Sequence, residues 1–168
     1  TLGSWLGAVS MLRPDAILCS RSHHAHEHAR VVSGLLDKDV QVVPATALTP
    51  HTDESEFALA PMRREAGKSV DWGHVTNVLC IGHEPRLQQL ACAATGAKPD
   101  TLQFGELLCV EGDSWEALES GHGRLGLRTQ PAGTGEDETE LLPKIQSKMQ
   151  TSALLAGFTS TTFGVVLT

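Results

Sequence analysis

Two short stretches of this chain hold side chains that could do chemistry. One is Ser20-Arg21-Ser22-His23-His24-Ala25-His26-Glu27-His28, which gathers four of the eight histidines. The other is Gly82-His83-Glu84-Pro85, which follows the apolar run Val78-Leu79-Cys80-Ile81. In the first, His24-Ala25-His26-Glu27-His28 fits H-x-x-E-H, the pattern in which histidines four apart on a helix ligate zinc while the glutamate activates water. A segment this rich in His and Glu produces such a pattern by composition alone, and no third ligand can be read from the sequence. Zinc hydrolysis through His24, Glu27 and His28 is therefore the lesser alternative, and no metal or other cofactor is expected. The H-E-x-x-H pattern fails because Arg30 stands where its second histidine belongs. In the second stretch, His83 follows a strand. The carboxyl end of a strand in an open α/β sheet is where ligands bind, because loops and helix N-termini converge there with unpaired N–H groups.

The elements that must position these residues follow from apolar spacing. Leu2, Trp5, Leu6, Val9 and Leu12 recur at three and four, the pattern of an amphipathic helix that Pro14 ends. Ala16 to Cys19 reads as a short buried strand, and a second helix runs from Ser22 through Ala25, Ala29, Val32 and Leu36. Val40 to Val43 is an edge strand closed by Pro44, and residues 45–65 read as irregular or partly helical. Val75 to Ile81 is the strand before His83, Leu87 to Thr95 its helix, and Gly96 the stop. Glu106 to Glu111, a Gly112-Asp113 turn and Leu125 to Thr129 read as hairpin-like strands. Strand–helix alternation followed by such strands indicates an α/β sheet with a mixed edge.

Composition narrows the class. A chain of 168 residues, 40% hydrophobic and 20% charged, suits one globular domain, and with no tyrosine and 4% aromatics its core must be aliphatic. A formal charge of -7 with scattered Lys and Arg argues against nucleic acid as a partner. Cys19, Cys80, Cys92 and Cys109 form no C-x-x-C pair, and buried free thiols in a reducing compartment are at least as well supported as any disulfide. Residues 1–130 are expected to form the folded domain and the acidic, Gly-rich segment 131–142 a linker, with 143–168 a hydrophobic helix. No charge occurs from Met149 to Thr168, a length that would span roughly 30 Å as a helix. Ser152, Ala156, Ser160, Gly164 and Thr168 would line one face with small side chains, as in helices that pack closely in lipid. Lys144 and Lys148 then place the domain on the cytosol, matrix or stroma side of an organellar membrane, with subunits of a membrane-protein complex as partners of the 149–168 helix.

The order Pro14-Asp15-Ala16-Ile17-Leu18-Cys19-Ser20, helix, Gly82-His83-Glu84-Pro85, then Phe104-Gly105-Glu106-Leu107-Leu108-Cys109-Val110 resembles the histidine phosphatase superfamily, and most of all its small phosphohistidine phosphatase branch. The resemblance covers Leu2 to Arg128. It implies a phosphoglycerate mutase-like fold, a three-layer sandwich around a mostly parallel sheet, and a phosphate pocket of two arginines and two histidines with one histidine as nucleophile. Carried over, it makes His83 the second pocket histidine and puts His24 where the second pocket arginine belongs. Arg21 and Arg86 could reach the same space, though neither holds the family position. Glu84 stands where the family often has Asn, adding a charge that repels phosphate. The Arg-His-Gly motif that carries the nucleophile is not among the 168 residues. With it goes the family's central first strand; Gly164-Val165-Val166-Leu167-Thr168 resembles that strand but lies at the other end of the sequence and is read as helix. The expectation is a catalytically degenerate domain serving as a membrane-anchored accessory subunit, with an active phosphatase whose nucleophile lies upstream as the alternative.

Overall fold

The computed structural model describes residues 13–36, 40–49, 59–97, 106–129 and 161–167. The apolar run after Pro14 is strand β1, Ala16–Cys19, with all four side chains buried. Helix α1, His23–Leu35, begins at Ser22, whose hydroxyl accepts the Ala25 amide at 3.3 Å and so satisfies one of the free N–H groups of the first turn. It buries Ala25, Ala29 and Val32. Strand β2, Gln41–Pro44, leads into a tight turn at Thr46–Leu48, and helix α2, Leu59–Ala66, follows. Then come strand β3, Asn77–Gly82, and helix α3, Arg86–Thr95. Gly96 caps α3 in the left-handed region at φ 65, a conformation that costs glycine nothing. Strand β4 is Leu107–Gly112, helix α4 Trp115–Glu119 and strand β5 Arg124–Thr129.

The seven residues Thr161–Leu167 form strand β6, where the sequence reading expects helix. They lie inside the sheet, whose order is β2-β1-β3-β6-β4-β5. β6 runs parallel to β3, with Asn77 opposite Thr162 and Gly82 opposite Leu167, and antiparallel to β4. The segment Thr-Thr-Phe-Gly-Val-Val-Leu is rich in β-branched residues and carries no charge, so it suits a central strand as well as a helix. The central position that the resemblance left open is thus filled from within the chain. Among the described residues no helix is long and apolar enough to cross a membrane. The expected helix over 2–12, the 131–142 linker and residues 143–160 lie outside the described residues.

Alternate residues of the central strands point to opposite faces, and each face has its own core. Ile17, Cys19, Leu79 and Ile81 pack with Ala25, Ala29 and Val32 of α1, and Leu107 and Cys109 of β4 belong to the same core. Leu18, Val78, Cys80, Leu108 and Val110 pack against α2, α3 and α4. Helices on both faces of a mostly parallel sheet make this an α/β fold. All four cysteines are free. Burial pushes the Cys19 thiol up to about 11, and burial reinforced by Cys19 pushes Cys80 up to about 12, so neither ionises near neutral pH.

Two clamps hold the amino edge of the sheet. One Asp15 carboxylate oxygen accepts from the Thr76 amide, the Thr76 hydroxyl and the Asn77 amide, each at 3.0 Å. The second is a cluster in which the Arg63 guanidinium lies 5.1 Å from the Trp72 ring and 5.3 Å from the Trp115 ring, while bonding Glu119 at 2.7 Å. The two indoles meet edge to face with centroids 5.1 Å apart, and the Trp115 Nε1–H donates to the Val75 carbonyl at 2.9 Å.

Candidate functional site

Because β1, β3 and β6 are parallel, their carboxyl ends meet at one edge of the sheet. Cys19 pairs with Ile81, the Ser20 amide donates to the Ile81 carbonyl at 2.8 Å, and Gly82 pairs with Leu167. The turns leading into α1 and α3 therefore start side by side, the first carrying Ser20 and Arg21 and the second His83 and Glu84. Ser20 is fully buried, and its hydroxyl accepts the Ser22 amide at 3.2 Å. The Thr46–Leu48 turn closes over the same edge. A Cβ at Gly82 would lie 3.3 Å from the Leu48 carbonyl oxygen, so glycine here lets that turn approach the strand end.

His83 stands at the carboxyl end of β3, as its place in the sequence indicates. Its ring is half-buried, and its Nδ1 is buried with no hydrogen-bond partner. Leaving a ring nitrogen unpartnered in this way costs about 1–3 kcal/mol, which marks His83 as the unsettled group of this edge. Its carbonyl accepts the Leu87 amide at 3.3 Å as α3 begins.

The chain matches no protein-family model, no curated protein and no solved structure. What this edge can do must therefore be read from its own groups.

The cations near His83 are already engaged. Arg21 is more than half exposed and bonds the Glu65 carboxylate at 2.9 Å, while its backbone amide donates to the Thr49 hydroxyl at 3.0 Å. Glu65 also accepts the Thr46 amide at 2.8 Å and the Thr46 hydroxyl at 2.6 Å. Burial alone would raise the Glu65 carboxyl; the Thr46 hydroxyl, the Arg21 guanidinium and the Thr46 amide outweigh it and hold the group below the usual carboxylate range. Arg86 is 8% exposed in the first turn of α3, with Nη1 donating to Gln89 Oε1 at 3.3 Å. His24 lies exposed in the first turn of α1, together with exposed Glu27 and His28. A neutral imidazole there cannot supply the two-pronged contact of a guanidinium. Among the described residues no three His, Cys, Asp or Glu side chains gather to hold a metal, so the H-x-x-E-H reading finds no third ligand.

Two members of the network, Glu65 and Thr46, escape sequence reasoning. They lie 19 positions apart, within a stretch read as irregular or partly helical, and α2 brings them together. Leu59, Met62 and Ala66 carry the helical spacing that would have exposed α2. Farther along the same edge, Glu106 is buried at the start of β4 and takes two hydrogen bonds from the Arg128 guanidinium, one of them from Nη2 at 3.0 Å. This is the bidentate geometry that gives such pairs their strength.

Proposed function

We propose that this chain is a histidine-phosphatase-like domain of the phosphoglycerate mutase-like kind that has lost catalytic competence and serves as an accessory subunit of a larger assembly. The order of elements supports the reading. A buried Ser20 precedes α1, His83 follows β3, helices cover both faces of the sheet, and an uncharged strand fills its middle. One observation carries the loss of catalysis: the Arg21 guanidinium, the cation closest in sequence to the family's pocket arginine, is bound to Glu65 at 2.9 Å. A phosphoryl group carries its charge on three oxygens, and stabilising their transfer needs cations aimed at them. Here the carboxylate of Glu65 already holds the Arg21 guanidinium.

The test is hydrolysis. Full-length protein incubated with phosphohistidine or p-nitrophenyl phosphate is expected to turn over no faster than buffer, and His83→Ala is expected to change nothing. Steady turnover that disappears in His83→Ala would instead establish an active phosphatase.

A further inference from the structure

We propose that His24 and His28 on α1 form a binding site for one late first-row divalent transition ion, of the Zn2+ type. The two residues are one helical turn apart, which brings their Cβ atoms to about 6 Å on the same flank. Metal–imidazole bonds of about 2.0–2.1 Å let two such rings converge on one ion without moving the backbone. Both histidines are exposed, so neither ring must leave a core to bind. Imidazole is the ligand these ions favour over Mg2+, which prefers oxygen. With only two protein donors, water completes the coordination shell. The site is thus a docking point for the ion and needs no third side chain.

The first turn that carries His24 is held in place before any ion arrives. The Ser22 hydroxyl accepts the Ala25 amide, and the Ser20 hydroxyl accepts the Ser22 amide. Ala25 and Ala29 are fully buried against the sheet, which fixes the helix rotation that sets His24 and His28 on one flank. Neither of the other two histidines of the cluster stands one helical turn from His24 or His28. His23 sits edge-on to His24, with centroids 6.0 Å apart and planes at 89°, and His26 is half-buried about 200° around the helix from His24. Glu27, next to His28, is drawn to Arg30 at 3.8 Å. The cluster therefore holds one matched pair of ligands, not four equivalent ones. This inference is independent of the phosphatase-like reading, and neither fails with the other.

Calorimetric titration of the full chain with Zn2+ is expected to show one saturable equivalent and no response to Mg2+. Zn2+ should also raise the thermal midpoint, because an ion bound only by the native state stabilises it. His24→Ala and His28→Ala should each weaken binding by at least about tenfold, as loss of one of two ligands requires. His26→Ala, about 200° around the helix from His24, should keep the affinity within about twofold, as independent positions do. Absence of saturable binding, or an equal loss in the His26 variant, would overturn the proposal and leave only diffuse affinity of a His-rich surface. Circular dichroism of each variant shows whether α1 is intact, so a folding defect is not mistaken for a lost ligand.

Discussion

Asp15→Ala is expected to lower the unfolding free energy by about 2–3 kcal/mol. Three donors converge on one carboxylate oxygen at 3.0 Å, the Thr76 amide, its hydroxyl and the Asn77 amide. Bonds to an ionised acceptor are roughly twice as strong as neutral ones. Thr76 is exposed and recovers water when the carboxylate goes, whereas the Asn77 amide is partly buried and recovers less. The Asp15 amide also donates to the Asn77 carbonyl at 2.7 Å, so the side chain and backbone of one residue align the start of β3 beside β1. Urea denaturation should show a lower midpoint at unchanged slope, since the packed area does not change. Asp15→Asn keeps a neutral acceptor oxygen and should recover part of the difference. A loss below about 0.5 kcal/mol for the alanine variant, the range of ordinary surface changes, would remove this clamp from the account.

Gly123→Ala should cost about 2–4 kcal/mol. A methyl group there would lie 2.5 Å from the Ala94 carbonyl oxygen, 2.7 Å from Leu118 Cδ2 and 3.0 Å from Val110 Cγ1. The nearest of these is backbone, so no rotamer change relieves it. The Gly123 amide donates to that same carbonyl at 2.8 Å, and pushing the strand away breaks the bond that ties β5 to the end of α3. For a chain of this length the thermal midpoint should fall by about 4–16 °C. Gly34→Ala is the matching control. It lies within α1 with nothing inside 4 Å of the added carbon, and alanine there should hold or raise stability by about 0.5–1 kcal/mol. Equal midpoints for Gly123→Ala and wild type would mean that β5 and α3 pack less closely than this.

Much of the sheet could be read before folding, for physical reasons that differ by element. β1 was legible because four consecutive apolar residues after a proline leave little but a strand buried on both faces. α3 was legible because its apolar spacing ends at a glycine that adopts the left-handed cap. The β3 strand starts at Asn77, two residues later than Val75, because Thr76 and the Asn77 amide turn toward Asp15 first. The short α4 was missed between two strands; its signal was Ser114, whose hydroxyl accepts the Ala117 amide at 3.2 Å. β6 was misread because an uncharged run of Thr, Val, Gly and Leu has no period that separates strand from helix.

The candidate site was half legible. His83 follows from its place after an apolar run, a local fact of sequence. The capture of Arg21 by Glu65 does not, because it joins residues 44 positions apart and depends on where α2 lies. Charge in a sequence says which groups exist, and only the fold says which of them are already matched.

The paired indoles of Trp72 and Trp115 have an optical consequence. With no tyrosine in the chain, ultraviolet emission excited at the indole band comes from tryptophan alone. Two rings held edge to face at 5.1 Å couple their transition dipoles, so they give a circular-dichroism couplet that depends on their mutual angle. That angle exists only while α2, α4 and the turn before β3 are docked around Arg63. The molecule thus carries an intrinsic optical gauge of tertiary packing at the sheet edge opposite His83, one that needs no label.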